Sequence, residues 1–320
     1  MQRRGGLAIL ATTGSNVNRS GRTLKTWKLR GRSIDLGQRT LVMGVVNITP
    51  DSFSDGGAFL APDAAVAHGL RLLDEGADLL DLGAESSRPG SNAGRSEEEG
   101  AAGISADEEQ ARLLPVLEGL LKARPGALIS VDTYKATTAR MAVAAGAEIV
   151  NDISGLQWDP AMAGTCAELG CGVVLMHTRG RPHEWKTQPA WVGDELLKAV
   201  CAGLRASMDA AAWAGIGTES IVIDPGYGFG KRGRENLLLL ARQAELLVLG
   251  RPILAGLSRK SFLGSVLAPL HNGRPAPIEA RETASVAAMV ASILHGTSIV
   301  RVHTVRAAVE AALIADAILR

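Results

Sequence analysis

The chain has 320 residues, 34 Lys+Arg against 33 Asp+Glu, a net charge of +1 and 46% hydrophobic residues. That length and apolar content fit one large domain or two modest ones, and near-neutrality argues against a general nucleic-acid binder. The apolar runs fall short of the ~18–20 residues of a membrane helix, and three cysteines without a CxxC form no disulfide framework, which points to the cytoplasm.

The even balance hides an uneven distribution. Residues 1–40 hold nine of the Lys/Arg and one acid, Asp35, a local charge of +8; the remainder holds 25 basic and 32 acidic residues, or −7. Residues 1–25 read as a solvated basic extension and not as a targeting or nucleic-acid arm. The apolar stretch Leu7–Ala11 is shorter than the ~7–15 residues at the centre of a secretory signal. WKLRGRSIDLG (27–37) alternates around Gly31 and Arg32, as a short hairpin does.

Eight short apolar runs come next: 41–46, 79–82, 128–131, 148–150, 172–176, 220–223, 252–255 and 298–302. They are rich in Val, Ile and Leu with little alternation, the pattern of strands buried on both faces of a parallel sheet. Amphipathic segments at 63–75, 106–124, 136–145, 193–213, 235–248, 280–294 and 304–318 read as helices, with Asp63 and Asp194 as starts. An open doubly wound sheet also alternates this way. The count of eight favours a closed (β/α)8 TIM barrel, with the hairpin ahead of its first strand, in a single domain over 26–320. The stretch 87–105 is long for a βα connection, where ~2–6 residues is usual; its first half reads as functional and its second half, with Glu97–Glu99, as solvated.

The polar residues at the strand ends are informative. The runs end in or lead to Asn47, Asp81 with Glu85, Asp132, Asn151 with Asp152, Met176 with His177, Asp224, Ser258 to Ser261, and Arg301 with His303. One Asp or Asn after a strand is usually a cap or turn residue. Eight polar strand ends in succession are harder to assign to capping, and in a barrel they share the C-terminal rim where active sites lie. Asp132, Asp224 and Asn151 suit the N–H-rich edge of a planar heterocycle. Lys260, Arg301 and His303 suit an anion, and the Asn47 carbonyl oxygen suits Mg2+. GYGFGK (226–231) is no Walker loop, since Arg232 follows Lys231 and the GxxxxGK spacing is missing; its glycines read as a tight loop. Neither HExxH nor a GxSxG elbow occurs.

VMGVVNITPDSFSDGG (42–57) and DLGAESSRPG (81–90) resemble two signatures of the dihydropteroate synthase family. The stretches 129–155, VLMH (174–177), IDPGYGFGK (223–231), LSRKSFLG (257–264) and RVHTV (301–305) resemble the rest in order. The resemblance implies a homodimeric (β/α)8 transferase of folate biosynthesis and sulfonamide target. Such an enzyme joins 6-hydroxymethyl-7,8-dihydropterin pyrophosphate to p-aminobenzoate with Mg2+ as cofactor. It implies that Asp132, Asn151, Met176, Asp224, Gly256, Lys260 and Arg301 bind the pterin. Asn47, Arg301 and His303 would hold the pyrophosphate, with Asn47 also a Mg2+ ligand. Ser87, Pro89, Phe229 and Ser261 would contact p-aminobenzoate, and Asp55 and Arg88 would lie on loops that close over the reaction. Asp55, Arg88, Lys260, Arg301 and His303 form the implied catalytic set.

The chain departs from the family at Ser87, where Thr is common, in some ten extra residues after Pro89, and in 179–191, whose Trp185 and Trp191 read as an added wall, a dimer contact or surface packing. A pterin-dependent methyltransferase shares the barrel but lacks the SRKSF, RVH and SDGG elements present here. A non-catalytic pterin-binding paralogue is expected to have lost Asp55, Arg88 or His303, all of which are present.

Overall fold

The computed structural model describes residues 23–49, 61–87, 91–95 and 103–320. The first two strands, β1 (Lys25–Lys28) and β2 (Ser33–Leu36), form the antiparallel hairpin, closed by a bond from Leu29 N–H to Arg32 O of 2.8 Å. Then come β3 (Leu41–Asn47), α1 (Ala61–Asp74), β4 (Leu79–Gly83), α2 (Ala106–Ala123), β5 (Ile129–Asp132), α3 (Ala136–Ala144) and β6 (Ile149–Asp152). The chain continues through α4 (Met162–Leu169), β7 (Gly172–Met176), α5 (Glu195–Trp213), β8 (Ile221–Asp224), α6 (Gly233–Ala241) and β9 (Ile253–Ala255). It ends with α7 (Ser261–Val266), α8 (Glu282–Leu294), β10 (Thr297–Val302) and α9 (Val305–Ile318). Strands β3 to β10 pair in parallel and close into one barrel in which β10 lies between β9 and β3.

All eight expected strands form within a residue or two of the apolar runs, because both faces of each are buried. Outward residues such as Val42, Leu80, Val131, Val150 and Val300 pack on the helices. The alternate positions Met43, Leu79, Leu128, Ile149, Val174, Val222, Leu254 and Ile299 fill the barrel interior with Trp27, Leu29 and Leu36 of the hairpin. The hairpin therefore plugs one end, and the Trp27 indole N–H donates to Ser220 O at 2.9 Å.

The helices differ from the pattern in particulars. The segment 235–248 is not one helix: α6 stops at Ala241 and a 3-10 turn runs over Gln243–Leu249. Helix α4, closed by Gly170 at φ +62°, and the six-residue α7 were too short for a periodic signal. Asp63 lies inside the first turn of α1. Asp194 flanks α5 without capping it and pairs with Arg242 at 2.6 Å. Among the described residues no helix is long and apolar enough to cross a membrane.

Candidate active site

The strand ends opposite the hairpin bring most of the expected polar residues together. Register places Asn47 beside Gly83, Gly83 beside Asp132, Asp132 beside Asn151, and Met176 beside Asp224. Asp81, fully buried, lies at the centre. Its Oδ2 accepts from Asn151 Nδ2 at 2.9 Å and from Arg301 Nε at 2.6 Å, while Oδ1 is buried without a hydrogen-bond partner among the described residues. Arg301 Nη2 reaches Asp132 Oδ2 at 2.8 Å. One guanidinium thus bridges two carboxylates, which offsets the cost of taking all three charges out of water. Sequence reasoning noticed Asp81 but gave it no role, since only the closed barrel brings β4 and β10 face to face with the same group.

The charges of this rim are strongly perturbed. Burial drives Asp132 up, Arg301 draws it back and Asp81 adds to the rise, leaving it at about 7. Burial likewise raises Asp224, against the pull of the Gly226 N–H bond of 2.7 Å and of Lys260 and Lys231. Burial lowers Lys260 to about 8, with Asp224 opposing and Arg301 adding to the fall. Lys260 Nζ stands 4.2 Å from the Phe229 ring centroid, a cation–π arrangement, and Trp185 meets the same ring edge-on at 5.1 Å. Trp185 is itself buried and donates to Gly180 O at 3.1 Å, so it forms a wall behind Phe229. Trp191 instead carries the Arg179 guanidinium 3.8 Å from its centroid.

Other groups hold the site's shape. The His303 ring Nδ1 lies 3.0 Å from Ser258 Oγ, which orients it. Arg259, between Ser258 and Lys260, has φ +60°; Ser285 Oγ accepts its N–H at 2.9 Å and Arg281 donates to its carbonyl at 3.0 Å. Asp152 bonds Ser154 and Leu156 N–H groups at 2.7 and 2.8 Å, so it shapes the turn after β6 and does not face the site. Lys231 is buried and donates to the carbonyls of His177, Gly226 and Phe229 at 3.1, 2.8 and 3.2 Å; burial, opposed by Asp224, lowers it to about 7. A Cβ on Gly226, at φ +67°, would come within 2.0 Å of His177 O, so only glycine fits this turn. The sequence pattern showed a tight loop here but not the lysine that ties it.

The remaining expected residues take varied places. Gly256 faces Arg301, Met176 is buried beside Asp224, and Ser261 is exposed at the start of α7. Ser87 lines a small cavity with Glu85, Glu109, Asp132 and Tyr134. Asp55, Arg88 and Pro89 lie outside the described residues. For Mg2+, no group of three His, Cys, Asp or Glu side chains converges among the described residues. The Asn47 carboxamide, a hard oxygen donor partly open at the rim, fits an ion that keeps several waters and takes its other ligands from substrate phosphates.

A model of the pterin binding enzymes matches residues 43–303. The dihydropteroate synthase of Mycobacterium leprae is 45% identical over 276 residues, 84% of this chain and 90% of that protein. The solved dihydropteroate synthase of Xanthomonas albilineans with 4-aminobenzoic acid is 42% identical, with a TM-score of 0.79 over 92% of this chain and 98% of the other. That of Yersinia pestis, solved with a sulfonamide drug, is 38% identical, with a TM-score of 0.79 and the same coverage.

Proposed function

The chain belongs to the dihydropteroate synthase family of pterin-binding transferases in folate biosynthesis, and from that premise we propose how its residues divide the reaction. The substrates are 6-hydroxymethyl-7,8-dihydropterin pyrophosphate and p-aminobenzoate. Asp132, Asn151 and Asp224 take the N–H-rich edge of the pterin, and Lys260 donates to its acceptors. Met176 and Gly256 line the same pocket, and Arg301 serves both the ring face and the anion. The observation that carries this reading is the buried cluster of Asp81, Arg301, Asp132 and Asn151: a guanidinium and carboxylates preorganised on one rim.

The C–O bond at the pterin methylene breaks, and pyrophosphate leaves with the electron pair. Arg301 and His303 stabilise the charge that accumulates on it, and Asn47 would hold Mg2+, which supplies further charge neutralisation when bound. The p-aminobenzoate nitrogen then forms the new C–N bond and releases a proton. Ser87, Phe229 and Ser261 contact this second substrate. Asp55, Arg88 and Pro89 keep the roles their motifs imply, with Asp55 beside the carbon cation and the two loops excluding water. No covalent enzyme intermediate is required, since the amine of p-aminobenzoate is itself the nucleophile.

Apolar side chains exposed on α6 (Leu237, Leu238) and α9 (Leu313, Ile314, Ile318) support a homodimer, which sedimentation tests. The free, buried Cys166 and Cys171 support a reducing, cytoplasmic setting. Purified protein given both substrates and Mg2+ should release pyrophosphate and be competed by a sulfonamide. A folded sample without turnover would refute the assignment and favour a non-catalytic pterin binder.

A further inference from the structure

The connection from β4 to α2 is several times longer than the usual ~2–6 residues, and its described parts are tied down at both ends. Residues 91–95 make a tight turn, with Arg95 N–H bonded to Asn92 O at 2.9 Å. The Gly94 N–H donates to the Tyr134 hydroxyl at 2.9 Å. Gly94 has φ +74°, and a Cβ there would come within 2.8 Å of the Trp158 ring. Tyr134 and Trp158 in turn pack edge to face, their centroids 5.1 Å apart at 70°. At the far end, Ile104 N–H donates to Glu85 Oε1 at 3.2 Å. Lys135, next to Tyr134, binds Glu85 Oε2 at 2.5 Å and the buried Glu109 at 3.0 Å. The link from β5 to α3 therefore anchors the described parts of the connection.

That anchor adjoins the site. Ala93 of the turn is buried and lines the same small cavity as Ser87, Asp132 and Tyr134. Only four peptide units separate Ser87 from Ser91, a reach of at most about 14 Å, so the placement of the turn limits the placement of Ser87. The hydroxyl is suited to a permanent role. Burial, opposed by Lys135 and reinforced by Glu85, pushes Tyr134 up to about 12, so it stays neutral across the working range.

We propose that Tyr134, backed by Trp158, is a positioning residue: it seats the 91–95 turn on the barrel rim and so sets where Ser87 meets p-aminobenzoate beside Asp132. This rests on the reading of Ser87 as a p-aminobenzoate contact. Steady-state pyrophosphate release by full-length Tyr134→Phe, Gly94→Ala and Ser87→Ala, with each substrate varied separately, tests it. Tyr134→Phe keeps the ring pair and removes the hydroxyl, which accepts from Gly94 N–H and donates to Glu85. It should raise the KM for p-aminobenzoate about five-fold, the factor carried by one net hydrogen bond. The KM for the pterin pyrophosphate should stay unchanged, and the thermal midpoint should fall by no more than about 2–4 °C. Gly94→Ala, forced against Trp158, should raise the same KM further. An unchanged KM for p-aminobenzoate in Tyr134→Phe, alongside a raised one in Ser87→Ala, would overturn the inference. So would a lower kcat and thermal midpoint with KM untouched, the mark of a purely structural role. An unchanged KM in Ser87→Ala would instead overturn the subsite reading on which it rests.

Discussion

The two ends of the barrel are built by the same strands and differ in one step of the pleat. At the hairpin end the inward residues are Leu79, Ile149, Val222, Leu254 and Ile299, packed on Trp27. Two residues further along each strand the inward positions become Asp81, Asn151, Asp224, Gly256 and Arg301. Because side chains alternate with a period of two, β4, β6, β8 and β10 each carry an apolar position for the core and a polar one for chemistry. The apolar layer supplies stability and the polar layer draws on it: buried Asp81 and half-buried Asp132 are tolerated because both pair with Arg301, and removal of Arg301 leaves two carboxylates uncompensated.

The sharpest break of this division is at the plug. Trp27→Ala should cost about 3–5 kcal/mol of stability, read by denaturant melts, with kcat/KM retained at temperatures where the variant is folded. Substitution at the opposite end should do the reverse. Lys260→Ala should lower kcat/KM by about 100- to 1000-fold and weaken pterin binding in calorimetry, with a smaller change in the melt. Equal affinities for the pterin in wild type and variant would contradict the placement of Lys260.

The pH dependence should separate the ends more finely. As pH rises through about 8, Lys260 loses its proton and affinity for the pterin pyrophosphate should fall, by at most about ten-fold per pH unit. Stability moves the other way. The folded value of about 8 lies below the ordinary 10.5, so the unfolded chain binds more protons between the two, and the Lys260 contribution to stability rises with pH across that window. Lys260→Met should flatten both responses. The smallest effect is expected at Lys28, whose pair with Glu219 at 3.8 Å is exposed on both sides. Lys28→Ala should change stability by less than about 0.5 kcal/mol, since the hairpin is held by Trp27, Leu29 and Leu36 and not by its surface charge.

Most of the frame was legible along the chain because the signals are local. The eight apolar runs announce doubly buried strands, and the alternation around Gly31 announces the hairpin. Helices α4 and α7 were not, because eight and six residues give too few turns for a period to show. Most of the candidate site was legible too. Asn47, Arg301 and His303 stand in or against apolar runs, where capping gives no reason for a polar side chain. Asp152 shows the limit of that logic: it belongs to the same strand as Asn151, yet its carboxylate is spent on the backbone of its own turn.

The sequence by itself determined the alternation of strand and helix, the family and the set of polar strand ends, since each is written in residues close together in the chain. Tertiary structure decided which of those ends meet. Asp81 and Arg301 are 220 positions apart and form one ion pair only because β10 closes against β3. Lys231 is recognisable as a tie for its loop only once the carbonyls of His177, Gly226 and Phe229 converge on it. Tyr134 reads as an ordinary residue after a strand until Gly94 and Trp158 are brought to it. Electrostatics and hydrogen bonding depend on distance in space, and barrel closure sets that distance.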